Sequence, residues 1–109
     1  MTSKLPLSPE SPAYRLFIEE VDKHIAFARE HALSGTVTPE IAKQLGASFH
    51  TIRGSAGFFS LEEIAALSKE LEEHFFSVAA GTPLNMALIR PNLDKLIDLT
   101  GQLPRAAQP

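Results

Sequence analysis

The sequence predicts an all-α protein, folded as an antiparallel up-down four-helix bundle. Apolar residues recur at three- and four-residue steps in four separate stretches, the mark of helices with one buried face. Glycine or proline punctuates the chain between those stretches, and no segment alternates with the period of two that a half-buried strand requires. Connections this short join neighbouring helices head to tail. The 109 residues are 44% apolar and 21% charged, enough for one packed domain and too few for two. That domain is placed at residues 12–103, after a flexible Ser/Pro-rich segment at 1–11 and before a frayed tail or linker at 104–109.

The first helix opens at Ser11–Pro12, an N-cap followed by proline at the first helical position. Its stripe is Tyr14, Phe17, Ile18, Val21, Ile25, Ala28 and Ala32, and about twenty residues of helix span roughly 30 Å. It stops near Ser34–Gly35. Thr38–Pro39–Glu40 repeats the start signal, and Ile41, Leu45, Phe49, Ile52 and Ala56 form the second stripe. Ser60 with Glu63 reads as a capping box opening a third helix through Ile64, Leu67, Leu71, Phe75 and Val78. Gly81 ends it. Thr82–Pro83 then starts a fourth helix through Met86, Ile89, Leu93, Leu96, Ile97 and Leu103. Pro91 lies inside that helix, where its missing N–H predicts a kink or a restart.

Composition removes several classes of function. No cysteine means no disulfide framework, thiolate metal site or cysteine nucleophile. A net charge of −3 is unsuited to a phosphodiester backbone, so no nucleic-acid partner is expected. No apolar run approaches the length of a membrane span, and no secretory signal is visible, which sets the expectation of a cytoplasmic monomer. Neither a Glu-x-x-His nor a His-Glu-x-x-His pattern occurs, and no phosphate-cradling glycine loop is present. No metal or other cofactor is therefore expected, and the chain has no ATP site of its own.

The informative stretch is Phe49-His50-Thr51-Ile52-Arg53-Gly54-Ser55-Ala56-Gly57. On a helical wheel with Leu45 marking the core, His50 falls about 140° away, on the outer face. Lys43, Gly46, Ala47, Arg53, Gly54 and Gly57 share that face. A glycine inside a helix costs about 1 kcal/mol relative to alanine, although Gly57 could instead be a left-handed cap. Stability alone gives no reason for glycines one turn to either side of an exposed histidine. Their effect is to clear side chains from the imidazole, so that another macromolecule can approach it. A neutral imidazole nitrogen is a nucleophile near physiological pH, and Arg53 one turn away suits an arriving anion. Phe58 and Phe59 follow, one expected in the core and the other an exposed contact for a partner.

These residues resemble the histidine-containing phosphotransfer family, which includes the phosphoacceptor domain of chemotaxis-type histidine kinases. The family pattern is His, any residue, an aliphatic, Lys or Arg, Gly, small residues, an apolar position and usually Gly. Here it reads His50 to Ser60, with Leu67 and Leu71-Glu72 resembling the third-helix segment, over roughly residues 12–103. Arg53 stands in place of the commoner Lys, and Ser60 where the family usually has Gly. The resemblance implies a phosphorelay carrier without its own catalytic ATP site. It implies that His50 is phosphorylated at Nε2 by a histidine kinase and passes the phosphoryl group to an aspartate of a response-regulator receiver domain. It further implies that Arg53 and Lys43 offset the arriving charge, that Mg²⁺ comes with the partner, and that Gly46, Ala47, Gly54, Gly57 and Phe58 form the docking face. In chemotaxis-type members a third-helix glutamate bonds the histidine Nδ1, and by spacing this is Glu72. Periodicity alone does not choose among Glu63, Glu70 and Glu72. Two other readings keep the same fold: the phosphoacceptor domain of a larger chemotaxis-type kinase, and a helical interaction module that has lost phosphotransfer.

Overall fold

The computed structural model describes residues 7–105. Four helices follow one another: α1 (Pro12–His31), α2 (Pro39–Phe58), α3 (Glu62–Ala79) and α4 (Met86–Gly101), and no strand occurs among the described residues. Each helix packs most closely on its neighbours in sequence, and α2 with α3 forms the most extensive pair. Residue pairings fix the alternating direction. Phe49 of α2 stacks on Phe75 of α3, Glu70 and Glu63 of α3 meet Asn92 and Lys95 of α4, and Tyr14 at the start of α1 meets Phe59 at the end of α2. The arrangement is the expected up-down bundle.

The first two helices begin where proline and a hydroxyl residue direct them. The Ser11 and Thr38 hydroxyls accept hydrogen bonds from the Tyr14 and Ile41 amides, with Pro12 and Pro39 entering helical positions that need no N–H. Buried stripes then meet in one core, with Tyr14, Phe17 and Phe59 packed edge-on and tilted at its lower end and Phe49 against Phe75 at its centre.

Helix ends depart from expectation at two places. Ser60 is not an N-cap. It has φ +61°, its amide bonds the Gly57 carbonyl, and the Leu61 amide bonds the Ala56 carbonyl. These two bonds make a Schellman closure of α2, with Ser60 in the left-handed position that usually holds glycine. Leu61 is the residue before α3, and no side chain caps that helix. Gly57 is an ordinary helical residue of α2, not the cap.

The same closure ends α3, where Gly81 takes φ +114° and the Thr82 amide bonds the Ser77 carbonyl. Thr82 closes α3 and does not begin α4. Asn85 does, its side chain accepting from the Leu88 amide. Pro91 causes no restart: α4 is continuous through it. The carbonyl that Pro91 cannot bond belongs to Ala87, which is exposed, so water can satisfy it.

Part of the tail is also tied down. The buried Tyr14 hydroxyl donates to the Pro104 carbonyl at 2.6 Å, and Arg105 makes two hydrogen bonds to Asp22 and one to the Thr100 carbonyl. Burial pushes the Tyr14 phenol up, which keeps it a donor. Residues 104–105 of the segment expected to be a frayed tail or linker thus contact the bundle, while residues 106–109, like 1–6, lie outside the described residues.

Two stability predictions follow from these ends. Ser60→Gly removes a side chain from a left-handed position and should stabilise the bundle by about 1 kcal/mol, read as a higher denaturant midpoint at unchanged slope. His74 Nε2 accepts the Asn85 amide at 3.1 Å, and desolvation holds this imidazole below its ordinary 6.5. The fold therefore favours the neutral ring, and its contribution is complete above pH 6.5 and lost as pH falls through the lower folded value. His74→Gln should flatten that segment of the pH–Tm curve relative to the parent.

Candidate functional site

The second helix carries its apolar stripe inward and presents His50 outward, the imidazole 62% exposed. Its Nδ1 lies 3.0 Å from Glu72 Oε2 on α3, and Nε2 has no hydrogen-bond partner among the described residues. Glu72 is itself buried, 9% exposed as a residue. A buried carboxylate needs a cation or hydrogen-bond donors to meet it, and it has two partners. Besides His50, the Arg53 Nε stands 3.0 Å from Oε1 as an ion pair, without a donor hydrogen aligned on that oxygen. The Arg53 Nη2 lies 3.4 Å from His50 Nδ1, a weaker approach than the carboxylate's.

The carboxylate selects a tautomer. An oxygen anion at 3.0 Å favours a proton on Nδ1, which leaves the Nε2 lone pair directed away from Glu72. Glu63 and Glu70 are excluded from this role by position. Glu63 pairs with Lys95 at 2.8 Å and Glu70 accepts from Asn92 at 3.0 Å, both on the α4 side of α3.

Other sequence-named residues separate into two groups. Ala47, Gly54, Gly57 and Phe58 are exposed on the His50 face, and Lys43 is exposed two turns below. A methyl added at Gly54 or Gly57 would meet nothing within 4 Å, so neither glycine is required by packing inside the bundle. Gly46 belongs elsewhere. It is buried, and a methyl there would lie 2.8 Å from Cδ1 and Cε1 of Phe76. The wheel misplaced it because α3 packs so closely on one flank of α2 that the buried arc widens on that side. Arg53 also differs from expectation: its guanidinium turns to Glu72 on the Nδ1 side instead of standing free for an anion.

Between α1 and α2, beside Gly54, runs an open groove lined by Ala13, Leu16, Phe17, Phe58 and Phe59. Phe59 is the core member of the aromatic pair and Phe58 the exposed one, at 65%. Leu16 on the opposite wall is 60% exposed. Sequence reasoning missed Leu16 because it lies outside α1's apolar stripe. It also missed Phe76, although Phe76 follows Glu72 by four residues just as Gly46 precedes His50 by four.

A family model described as the Hpt domain matches residues 13–106, nearly the whole chain. The chain belongs to the Hpt domain family. No curated protein and no solved structure matches it. Hpt domains carry phosphoryl groups in two-component signalling, act with kinases and response regulators, and are in general carriers, not enzymes. No helix among the described residues is long and apolar enough to cross a membrane.

Proposed function

We propose that this Hpt domain is a phosphorelay carrier whose phosphoacceptor is His50. The observation that carries the reading is an exposed imidazole whose Nδ1 meets the buried Glu72 carboxylate at 3.0 Å. In the first step the Nε2 lone pair attacks phosphorus, an N–P bond forms, and the P–O bond to ADP or to a donor aspartate breaks. The Nδ1 proton stays in place, and Glu72 balances the positive charge that develops on the ring. In the second step a carboxylate oxygen of a receiver-domain aspartate attacks phosphorus. The N–P bond breaks and its electron pair returns to Nε2.

Charge and shape around His50 suit a receiver. From Ile41 to Phe58 the second helix carries Lys43 and Arg53 and no carboxylate, so it complements an acidic phosphorylation pocket. Arg53 neutralises Glu72 at rest, and Lys43 on that face has no ion-pair partner among the described residues. The apolar groove with Leu16 and Phe58 reaches Gly54, one turn from His50, and offers a docking surface there. Open glycines at 54 and 57 let a partner's backbone come close to His50.

A second reading, the phosphoacceptor domain of a larger chemotaxis-type kinase, draws on the same His50–Glu72 contact. Acid-labile phosphate, followed after incubation with a separate kinase core and after incubation with a phosphorylated receiver, separates the two. Transfer in both directions with receivers marks the relay carrier, and labelling by a kinase core alone marks the kinase substrate. No label from either, nor from phosphoramidate, leaves the module that has lost phosphotransfer.

His50→Gln should abolish labelling and change stability by no more than about 1 kcal/mol, since the site is exposed and the amide can still donate to Glu72. Labelling that survives would place the acceptor elsewhere. Gly54→Leu should gain up to about 1 kcal/mol of helix stability. It should nonetheless slow transfer between proteins steeply, while phosphoramidate, which needs no docking surface, still modifies His50. An unfolded Gly54→Leu protein would show that the residue is packed, against the open space around it.

A further inference from the structure

Two residues that the transfer reaction does not use lie one turn from those that it does. Gly46 precedes His50 by four residues on α2, and Phe76 follows Glu72 by four on the antiparallel α3. Gly46·Phe76 and His50·Glu72 are therefore consecutive rungs between the same two helices, about 6 Å apart along the axis. The Phe76 ring lies on the Gly46 backbone. A methyl at Gly46 would stand 2.8 Å from Cδ1 and 2.8 Å from Cε1, closer than real carbon contacts come, and a tight 3.0 Å from Cγ. The buried Phe49–Phe75 stack, with rings 5.8 Å apart and 10° from parallel, fixes the register of the helices on the core side.

We propose that Gly46 and Phe76 are a positioning pair: the absence of a side chain at 46 sets the helix separation at which Glu72 reaches His50 Nδ1. The margin is small. The Nδ1–Oε2 distance is 3.0 Å, and an N–H···O hydrogen bond is spent by about 3.2–3.5 Å, so a displacement of a few tenths of an ångström loses it. The ring is 39% exposed, and leaving Gly46 would give to water the face now packed on α2. An added methyl therefore presses through the ring on the turn of α3 that carries Glu72. A glycine in mid-helix that is buried under an aromatic ring is thereby explained, which docking of a partner does not do.

The effect on transfer rests on the proposed role of His50, but the primary readout does not. In the parent, ¹⁵N NMR of the His50 ring should show the neutral imidazole mainly as the Nδ1–H tautomer. Gly46→Ala should stay folded, shift that population toward Nε2–H, and slow labelling by phosphoramidate severalfold. Phe76→Ala should keep the parent tautomer. Gly46→Ala combined with Phe76→Ala should return to it, because the methyl then has room. The proposal is overturned if Gly46→Ala keeps the parent tautomer, if the double variant does not recover it, or if Gly46→Ala fails to fold. A parent that is never labelled but shows this tautomer pattern would remove the phosphoacceptor reading and leave the positioning pair in place.

Discussion

Glu72 buries a carboxylate between two helices, and a charge so placed destabilises a fold by several kcal/mol unless cations or donors meet it. Both partners come from α2, three residues apart: His50 to one oxygen and Arg53 to the other. Residues three apart face the same way on a helix, so one carboxylate can hold both. The demand of that carboxylate thus fixes the rotation of α2 against α3, the orientation of the imidazole and the direction of its free nitrogen. The exposed outer face of α2 lies around that nitrogen.

Glycine serves two opposite ends within one helix. At Gly46 it admits an aromatic ring from α3 and brings the helices together. At Gly54 and Gly57 there is open space, and the missing side chains leave the backbone accessible. Each carries the same intrinsic helix penalty, yet at 46 interhelical packing offsets it, and at 54 and 57 nothing inside the domain does. That asymmetry separates the half of α2 packed under Phe76 from the half that lies open to solvent.

Away from the site, the bundle is held by chain closures that leave the His50 face untouched. The Schellman turns after α2 and α3 use backbone bonds alone, one with glycine and one with a serine forced to φ +61°. Tyr14 and Arg105 strap the end of α4 to α1. His74 steadies the start of α4 through Asn85, on the side of α3 away from Glu72's contacts. The exposed surface of α2 is therefore not needed to hold the bundle closed.

Four amphipathic stripes, their punctuation by proline and glycine, and the outward placement of His50 were legible in the sequence, because helical periodicity is a local property of the chain. So was the hydroxyl–proline start of α1 and α2. Ser60 and Thr82 misled, since a residue that ends one helix and one that begins the next share the same local composition, and only the hydrogen bonds distinguish them. Periodicity nominated Glu72 without choosing it over Glu63 and Glu70, which lie on the opposite edge of the α3 stripe. The choice was made by which neighbour each edge faces, α2 for Glu72 and α4 for the other two. Gly46 looked like Gly54 for the same reason. A wheel has one core direction, whereas a helix inside a bundle has neighbours on two flanks, and the distance to each flank is set by side chains remote in sequence. Local periodicity determined which face His50 occupies; the packing of α3 against α2 decided what stands behind it.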